Sequence, residues 1–273
     1  MVNEGRPTVG VALNAERLKE YRDWVLESQR DLEIQDSANP FVLGNGWQDV
    51  ASEVSQLLDG YTGRLGIHAP FVDLTIGAVD PLIRNAVVER LTQGLEFGAA
   101  IGATHMVIHS PVRFLGANPF EPSKPILGNG SEFEAVKVTL DAILPRAEQL
   151  GCMLVVENIF DRNPARLRDI VTSFDSELVR MSIDIGHAHV MSKFGGASPE
   201  QWVRETGALL AHLHLQDSDG DEDRHWTPGV GTMQWHALFE ALDAQGGDPR
   251  LIIETRGCPI EGANFLSERG YVN

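Results

Sequence analysis

Short apolar segments alternate with longer amphipathic segments along the whole chain. In residues 15–30, 80–102 and 132–151 the apolar positions recur with the period of a helix, and Pro145 is expected to kink the last of these helices. The short segments are rich in β-branched residues and have the length of buried strands. They are TVGVAL (8–13), LEIQ (32–35), RLGIHA (64–69), HMVIHS (105–110), MLVVEN (153–158), RMSIDIG (180–186), LAHLHLQ (210–216) and LIIETR (251–256).

Eight strand and helix units follow one another at even spacing, which favours a (β/α)8 TIM barrel of the α/β class. No change in composition and no low-complexity linker divides the chain, so we predict that residues 1–273 form a single domain. A doubly wound parallel sheet is the alternative. The even spacing and the lack of a G-x-G-x-x-G turn weigh against it.

Six of the predicted strands carry a histidine or a carboxylate at their C-terminal end. In a (β/α)8 barrel the active site lies at these ends. Side chains alternate along a strand, so Glu157 shares its face with Val155 and can point into the barrel. We therefore expect six side chains to converge on the barrel mouth: His68, His109, Glu157, Asp184, His214 and Glu254.

The amino-acid composition indicates the cellular compartment of the protein and the partners that it is not expected to bind. The two cysteines, Cys152 and Cys258, cannot build a disulfide framework, which favours a reducing cytoplasm. The N-terminus lacks the pattern of a signal peptide, and no apolar run approaches the roughly 18 residues of a membrane span, so no membrane partner is expected. A net charge of −17 repels polyanions, so no nucleic acid partner is expected either. The oligomeric state stays open, a homo-oligomer included.

The converging residues predict a metal site. Taken alone, a strand histidine is more often a hydrogen-bonded core residue, and a strand-end carboxylate is more often a helix cap or half of an ion pair. Three carboxylates that face one cavity would repel each other, because buried charges must be paired or coordinated. A divalent metal resolves this, and the ligand types fit Mn, Zn, Co or Fe.

The segment HLHLQDSDGDEDRHW (212–226) is the densest run of ligand-type residues in the chain. Its alternating aspartates are similar to a calcium-binding D-x-D-x-D-G loop. However, Glu222 occupies the position of the turn glycine and Pro228 that of the closing glutamate. The histidines indicate a transition metal instead.

Seven motifs resemble, in their order and spacing, the xylose isomerase-like TIM barrel superfamily. This superfamily includes sugar isomerases and epimerases as well as endonuclease IV (AP endonuclease family 2). The resemblance covers roughly residues 8–256. The motifs are GIHAPF (66–71), VIHS (107–110), VVEN (155–158), SIDIGHAH (182–189), HLHLQDSDGDEDRH (212–225), PGVG (228–231) and IIETRG (252–257).

The resemblance implies two sets of metal ligands. In the isomerases and epimerases one ion is held by four residues, which here are Glu157, Asp184, His214 and Glu254. In endonuclease IV the same four belong to a trinuclear zinc cluster, so the chain is expected to bind one to three ions. The further ligands match His68 and His109, which share Glu157, and His187, Asp223 and His225. Asp219 and Asp221 either order the loop that follows His214 or are solvated, and solvation is the expectation for both.

The resemblance favours the sugar phosphate isomerase/epimerase branch over the nuclease. After His68 the chain reads APFVD, and SIDIGH lacks the cysteines and the threonine of the nuclease motif. The implied activity is a metal-dependent isomerisation or epimerisation of a carbohydrate: a sugar, a keto-polyol or a sugar phosphate. Because Glu157 and Glu254 lie three strands apart, they are expected to transfer the proton on opposite sides of the substrate, through an enediolate. Arg256 is expected to contact a substrate hydroxyl or phosphate, with an ion pair as the alternative.

Other functions stay open at this point. The alternatives are an endonuclease IV-like metal-dependent phosphodiesterase, another metal-assisted reaction such as that of a lyase or dehydratase, and a barrel that only stores or senses a metal. Likeness of fold cannot separate them.

Overall fold

In the computed structural model, which describes residues 6–112 and 132–273, eight parallel strands close into a barrel in chain order. Each strand pairs with the next, and β8 pairs with β1. The predicted (β/α)8 TIM barrel is confirmed. The strands are β1 (Gly10–Leu13), β2 (Leu32–Ile34), β3 (Leu65–His68), β4 (His105–His109), β5 (Met153–Glu157), β6 (Val179–Asp184), β7 (Leu210–Leu215) and β8 (Arg250–Ile253).

Helices cover the outside of the barrel, and those predicted over 15–30, 80–102 and 132–151 are observed with slightly shorter bounds. The last of them continues past Pro145, and the expected kink stays a prediction. The α-helices are α1 (Ala15–Glu27), α2 (Pro40–Gly44), α3 (Trp47–Leu57), α4 (Pro81–Ile101), α5 (Glu132–Leu150), α6 (Pro164–Thr172), α7 (Ile185–Ser192), α8 (Pro199–Thr206), α9 (Trp235–Gln245) and α10 (Pro259–Glu268). Short 3-10 turns cover Asp36–Ala38 and Gly207–Leu209.

All strands except β1 end one to three residues before their predicted bounds, and the two largest differences are at β6 and β8. β6 stops at Asp184 instead of residue 186, because the Asp184 side chain accepts a hydrogen bond from the backbone N–H of His187 and begins α7. β8 stops at Ile253, so Glu254 is the first residue after the strand. Both carboxylates still lie at the C-terminal end of the barrel.

The barrel interior is polar well below its mouth. Glu33 on β2 lies 3.2 Å (Oε2) from Nε2 of His212 on β7, and these strands are not neighbours in the sheet. The contact therefore crosses the barrel. His105 and Ser182 also point into this region and are fully buried. The alternate residues on each strand are apolar and pack under the helices, as Ile34, Met106, Leu154 and Ile183 do.

At the N-terminal end of the barrel a nearly buried carboxylate is paired with an arginine. Arg64 donates hydrogen bonds at 2.9 Å to the nearly buried carboxylate of Asp31. The same guanidinium reaches the Asp248 carboxylate at 2.8 Å. These ion pairs lie at the end of the barrel opposite the predicted site.

Among the helices in the described ranges, none is both long and apolar enough to cross a bilayer. That the whole of residues 1–273 forms one domain stays a prediction.

Candidate functional site

A cavity of about 600 Å³ opens at the C-terminal ends of the strands. Its wall includes Arg17, Gln35, Asn39, Phe71 and Arg256. Seven of the residues with predicted metal-binding roles also line it: His68, His109, Glu157, His187, Asp223, His225 and Glu254. The other two, Asp184 and His214, are fully buried against this set.

Glu157, Asp184 and His214 form a central group at the bottom of the cavity. Each offers a ligand atom within 4.8 Å of the others, and all three are buried. The Nδ1 atom of His214 lies 2.7 Å from Oε1 of Glu157 and 3.4 Å from Oε2 of Glu254. Glu157 and Glu254 therefore meet at Nδ1 of His214, and Asp184 lies beside Glu157 and His214.

A second group consists of His68, His109 and Glu157. The Nε2 atoms of the two histidines are 3.2 Å apart, and that of His109 is 3.6 Å from Oε2 of Glu157. Phe71 stacks on the His109 ring at 4.3 Å between centroids. Burial, reinforced by His68, lowers the pKa of His109 to about 3, so His109 is neutral and able to bind a cation.

A third group consists of His187, Asp223 and His225. Oδ2 of Asp223 lies 3.4 Å from Nε2 of His187 and 3.1 Å from Nε2 of His225. His225 has a positive φ of 49°, an uncommon backbone conformation outside glycine. Its backbone N–H donates to Oε1 of Gln216, which holds it in this conformation.

The loop that carries the third group is ordered by buried and half-buried carboxylates. Asp217 accepts hydrogen bonds from the backbone N–H groups of Gly229 and Met233 and from the Trp235 indole. Asp219 forms an ion pair with Arg224 at 3.0 Å. Asp219 thus follows the alternative of ordering the loop rather than the favoured one of solvation, whereas Asp221 is exposed as expected.

The carboxylates and imidazoles of the site perturb each other strongly. Burial alone would raise the pKa of Glu157, yet the His214 and His109 imidazoles hold it below its usual range. Burial raises the pKa of Glu254 despite His214 and His225. Although burial opposes it, Glu254 and Glu33 raise the pKa of His214 well above its ordinary value. A proton on His214 thus balances these carboxylates, and a cation would displace it.

The donor set fits divalent metal ions. Imidazole nitrogen and carboxylate oxygen suit zinc, manganese, cobalt and iron. The contacts between donor atoms, 2.7 Å and 3.4 Å at His214 and 3.6 Å at His109, are close to the separation of roughly 3 Å between ligands bound about 2.1 Å from one ion. The three groups of donors share Glu157 or adjoin through Glu254 and Gln216.

Three contributors were not anticipated. Glu33 is fully buried and its Oε1 lies 3.1 Å from Nε2 of His214. Gln35 donates to Oε1 of Glu254 at 2.5 Å. Gln216 donates to both oxygens of Asp184 and to Asp223. The sequence held a signal for two of them. Glu33 is a carboxylate within the apolar run LEIQ, and Gln216 follows His214 by two residues on the same face of the predicted strand.

A deeper cluster of Glu33, His105 and His212 also has ligand-type atoms within 4.8 Å of each other. Burial lowers the pKa of His105 well below its usual value, and Arg250 lowers it further. This nearby arginine would also repel a cation, so the deeper cluster is a poorer metal site. The His105 ring lies over Gly66, where a Cβ atom would come within 1.9 Å of it.

Known proteins of similar sequence share this architecture. The family model described as "Xylose isomerase-like TIM barrel" matches residues 32–269. The uncharacterized protein MJ1311 of Methanocaldococcus jannaschii is 26% identical over 225 residues, which cover 78% of this chain and 72% of that protein.

Solved structures agree with this match. The TTHB071 protein of Thermus thermophilus, whose crystal was soaked with ZnCl2, is 25% identical with a TM-score of 0.71, covering 96% of this chain and 97% of that chain. A D-tagatose 3-epimerase-like protein is 22% identical with a TM-score of 0.75, covering 95% and 96% of the two chains. The chain belongs to the xylose isomerase-like TIM barrel family.

Proposed function

We propose that the protein is a divalent-metal-dependent isomerase or epimerase of a sugar, a keto-polyol or a sugar phosphate. The observation that carries this proposal is the convergence of Glu157, Asp184, His214 and Glu254 beneath an open cavity of about 600 Å³. A cavity of this size accommodates a small ligand. The likeness to a D-tagatose 3-epimerase-like protein supports the same reaction class.

The four central residues would hold the ion that this reaction uses. A divalent cation at this position would polarise a carbonyl oxygen and the neighbouring hydroxyl oxygen of the substrate. His68 and His109 on one side, and His187, Asp223 and His225 on the other, are the proposed ligands of up to two further ions. The cation would be Mn, Zn, Co or Fe.

Glu157 and Glu254 are the proposed acid and base. They come from β5 and β8, three strands apart in the ring of eight, and so face the substrate from different sides. One carboxylate takes the proton from the carbon beside the carbonyl, and the electron pair of that C–H bond moves to the carbonyl oxygen. The other glutamate, in its acid form, returns a proton to carbon. Gln35 restrains Oε1 of Glu254 and leaves Oε2 facing the site.

Arg256 is proposed to contact the far end of the substrate. It is exposed on the cavity wall and has no side-chain ion pair within the part of the chain that the structure describes. Arg17 lines the same wall and is anchored by the backbone carbonyls of Thr255 and Gly257, both at 2.7 Å. Two guanidinium groups on one wall would suit a phosphate or a row of hydroxyls.

The proposal is tested with the metal-loaded chain in deuterated water and a panel of ketoses, keto-polyols and sugar phosphates. We expect conversion of one panel member, with solvent deuterium at the carbon beside the carbonyl. Removal of the ion with a chelator should stop the exchange, and re-addition should restore it. A product formed without deuterium would exclude proton transfer through the two glutamates. We propose the cytoplasm as the location and carbohydrate metabolism as the role.

We infer a second candidate function, a metal-dependent phosphodiesterase similar to endonuclease IV. The observation that favours it is that eight of the nine proposed ligands form three groups around one cavity, and the ninth, Glu254, lies 3.4 Å from Nδ1 of His214. The net charge of −17 opposes a DNA substrate. We expect an abasic-site duplex at low salt to be neither bound nor incised, and one ion per chain by elemental analysis. Three ions together with metal-dependent incision would favour the nuclease over the isomerase.

A further inference from the structure

We propose that Glu33 is a positioning residue that fixes the tautomer of His214 and thereby its strength as a metal ligand. This inference rests on the proposed metal-dependent function. Glu33 lies on β2, fully buried, and is absent from the wall of the cavity. One of its oxygens also lies within 4.8 Å of ligand atoms of His214 and Glu254, but its direct partner in the site is the His214 ring.

The His214 ring is held at both nitrogens by different partners. Nδ1 faces the central group, 2.7 Å from Oε1 of Glu157 and 3.4 Å from Oε2 of Glu254. Nε2 faces the opposite way, 3.1 Å from Oε1 of Glu33. The ring is fully buried, and Nδ1 is the nitrogen that faces the carboxylates of Glu157 and Glu254.

A neutral imidazole carries one proton, and its position decides which nitrogen can bind a metal. If the proton were on Nδ1, the lone pair of Nε2 would face the Glu33 carboxylate and repel it. The Glu33 carboxylate accepts a hydrogen bond, so it favours the proton on Nε2. That leaves the Nδ1 lone pair free for the cation. A carboxylate that holds a metal-binding histidine in this way also makes the imidazole a stronger donor.

Glu33 is itself fixed from the other side. Its Oε2 lies 3.2 Å from Nε2 of His212, and Nδ1 of His212 lies 2.8 Å from the hydroxyl of Ser182. These contacts join β2, β7 and β6 across the interior of the barrel. The contact between Oε2 of Glu33 and Nε2 of His212 lacks the geometry of a hydrogen bond, so it restrains Glu33 by packing. The closed barrel thus sets the position of Glu33 next to His214.

Glu33→Gln is the informative variant, because it keeps the size of the side chain and a carbonyl oxygen that can accept from Nε2 but removes the charge. The wild-type chain and the variant are freed of metal and titrated with Zn²⁺ against a chromophoric chelator. We expect the variant to bind zinc roughly 10- to 100-fold more weakly. Imidazole ¹⁵N spectra of the zinc-loaded wild type should show His214 protonated at Nε2, and the variant should show a change in its tautomer or in the Nε2 shift.

Asp31→Asn is the matched control. Asp31 is also a nearly buried carboxylate on the same side of the barrel, next to β2, but it pairs with Arg64 at the other end. The Asp31→Asn variant should lose stability and keep its zinc affinity. Equal zinc affinity and unchanged His214 spectra in Glu33→Gln, or an equal loss of affinity in Asp31→Asn, would overturn the role of Glu33. A wild-type chain that binds no divalent ion would overturn the proposed function as well, so the two failures are distinct.

Discussion

The two ends of the barrel treat buried charge in opposite ways. At the N-terminal end, Asp31 is neutralised by Arg64, which also pairs with Asp248. At the mouth, Glu157, Asp184 and Glu254 have no arginine or lysine partner anywhere in residues 6–112 and 132–273. Their contacts are with imidazoles, amides and each other.

The paired charges at the N-terminal end stabilise the fold, whereas the carboxylates at the mouth are suited to bind a cation. An ion pair built into the chain satisfies its own charges and needs nothing from solution. A set of carboxylates faced by titratable imidazoles and neutral amides stays able to accept a cation, and the imidazole protons can leave when the cation arrives. The comparison predicts that changes at the mouth alter metal binding and catalysis, whereas changes at the other end alter stability alone.

The largest effect is expected from removing a central ligand. Asp184→Ala and His214→Ala each take away about a quarter of the donors around the central ion. We expect loss of bound metal and of all activity, as measured by elemental analysis and turnover of the identified substrate. A full metal complement in either purified variant would show that the central group does not hold the ion.

The next largest effect is expected at the two glutamates. Glu157→Gln and Glu254→Gln keep an oxygen that can face the cation but remove the acid–base group, so the rate should fall by roughly 10²–10⁴-fold. Metal content is measured in parallel, because a weakened ligand shell would also slow the reaction. A variant that keeps its metal and exchanges deuterium into the substrate without forming product would assign removal of the proton to the remaining glutamate. Normal turnover in both variants would contradict the assignment.

The sequence predicted much of this arrangement, for a physical reason. In a parallel barrel every strand ends at the same face, so the last polar residue of each strand is placed by strand order and alternation alone. This is why Glu157 and His214 could be placed at the barrel mouth from the sequence alone. Contacts across the barrel, such as Glu33 with His214, depend on the register around the closed ring, and no local pattern encodes it. The loop from Asp217 to His225 was partly misjudged, because its ion pair and its positive φ depend on tertiary contacts.

A smaller effect is expected at Asp161, a buried carboxylate near the mouth. Burial raises its pKa to about 6 from an ordinary value of 3.8. The folded chain therefore binds this proton more tightly than the unfolded chain, and the cost of burying the charge is absent below about pH 4 and complete above about pH 6. In the metal-free protein Asp161→Asn should remove a destabilisation of at most about 3 kcal/mol at pH 7.

Denaturant unfolding of the wild type and of Asp161→Asn between pH 4 and pH 8 measures this difference. The gap in unfolding free energy should shrink towards zero as the pH falls through 6 to 4. A gap that does not change with pH would mean that Asp161 keeps an ordinary pKa in the folded protein.

The smallest effect is expected at the paired end. Asp31→Asn leaves Arg64 with only Asp248, and losing one partner of a buried charged hydrogen bond costs about 1–3 kcal/mol of unfolding free energy. Metal content and turnover of the folded variant should equal those of the wild type. A loss of metal in this variant would erase the distinction between the two ends of the barrel.

Gln216 links the central group to the third group through its hydrogen bonds. Its single amide nitrogen donates to Asp184 in the central group and to Asp223 in the third, and its oxygen holds the backbone of His225. An ion that drew Asp184 towards itself would weaken one of these bonds and so alter the restraint on Asp223 and His225. Occupancy of one group would then change the affinity of the other, equally in both directions. If more than one ion binds, the binding isotherm should depart from that of independent sites.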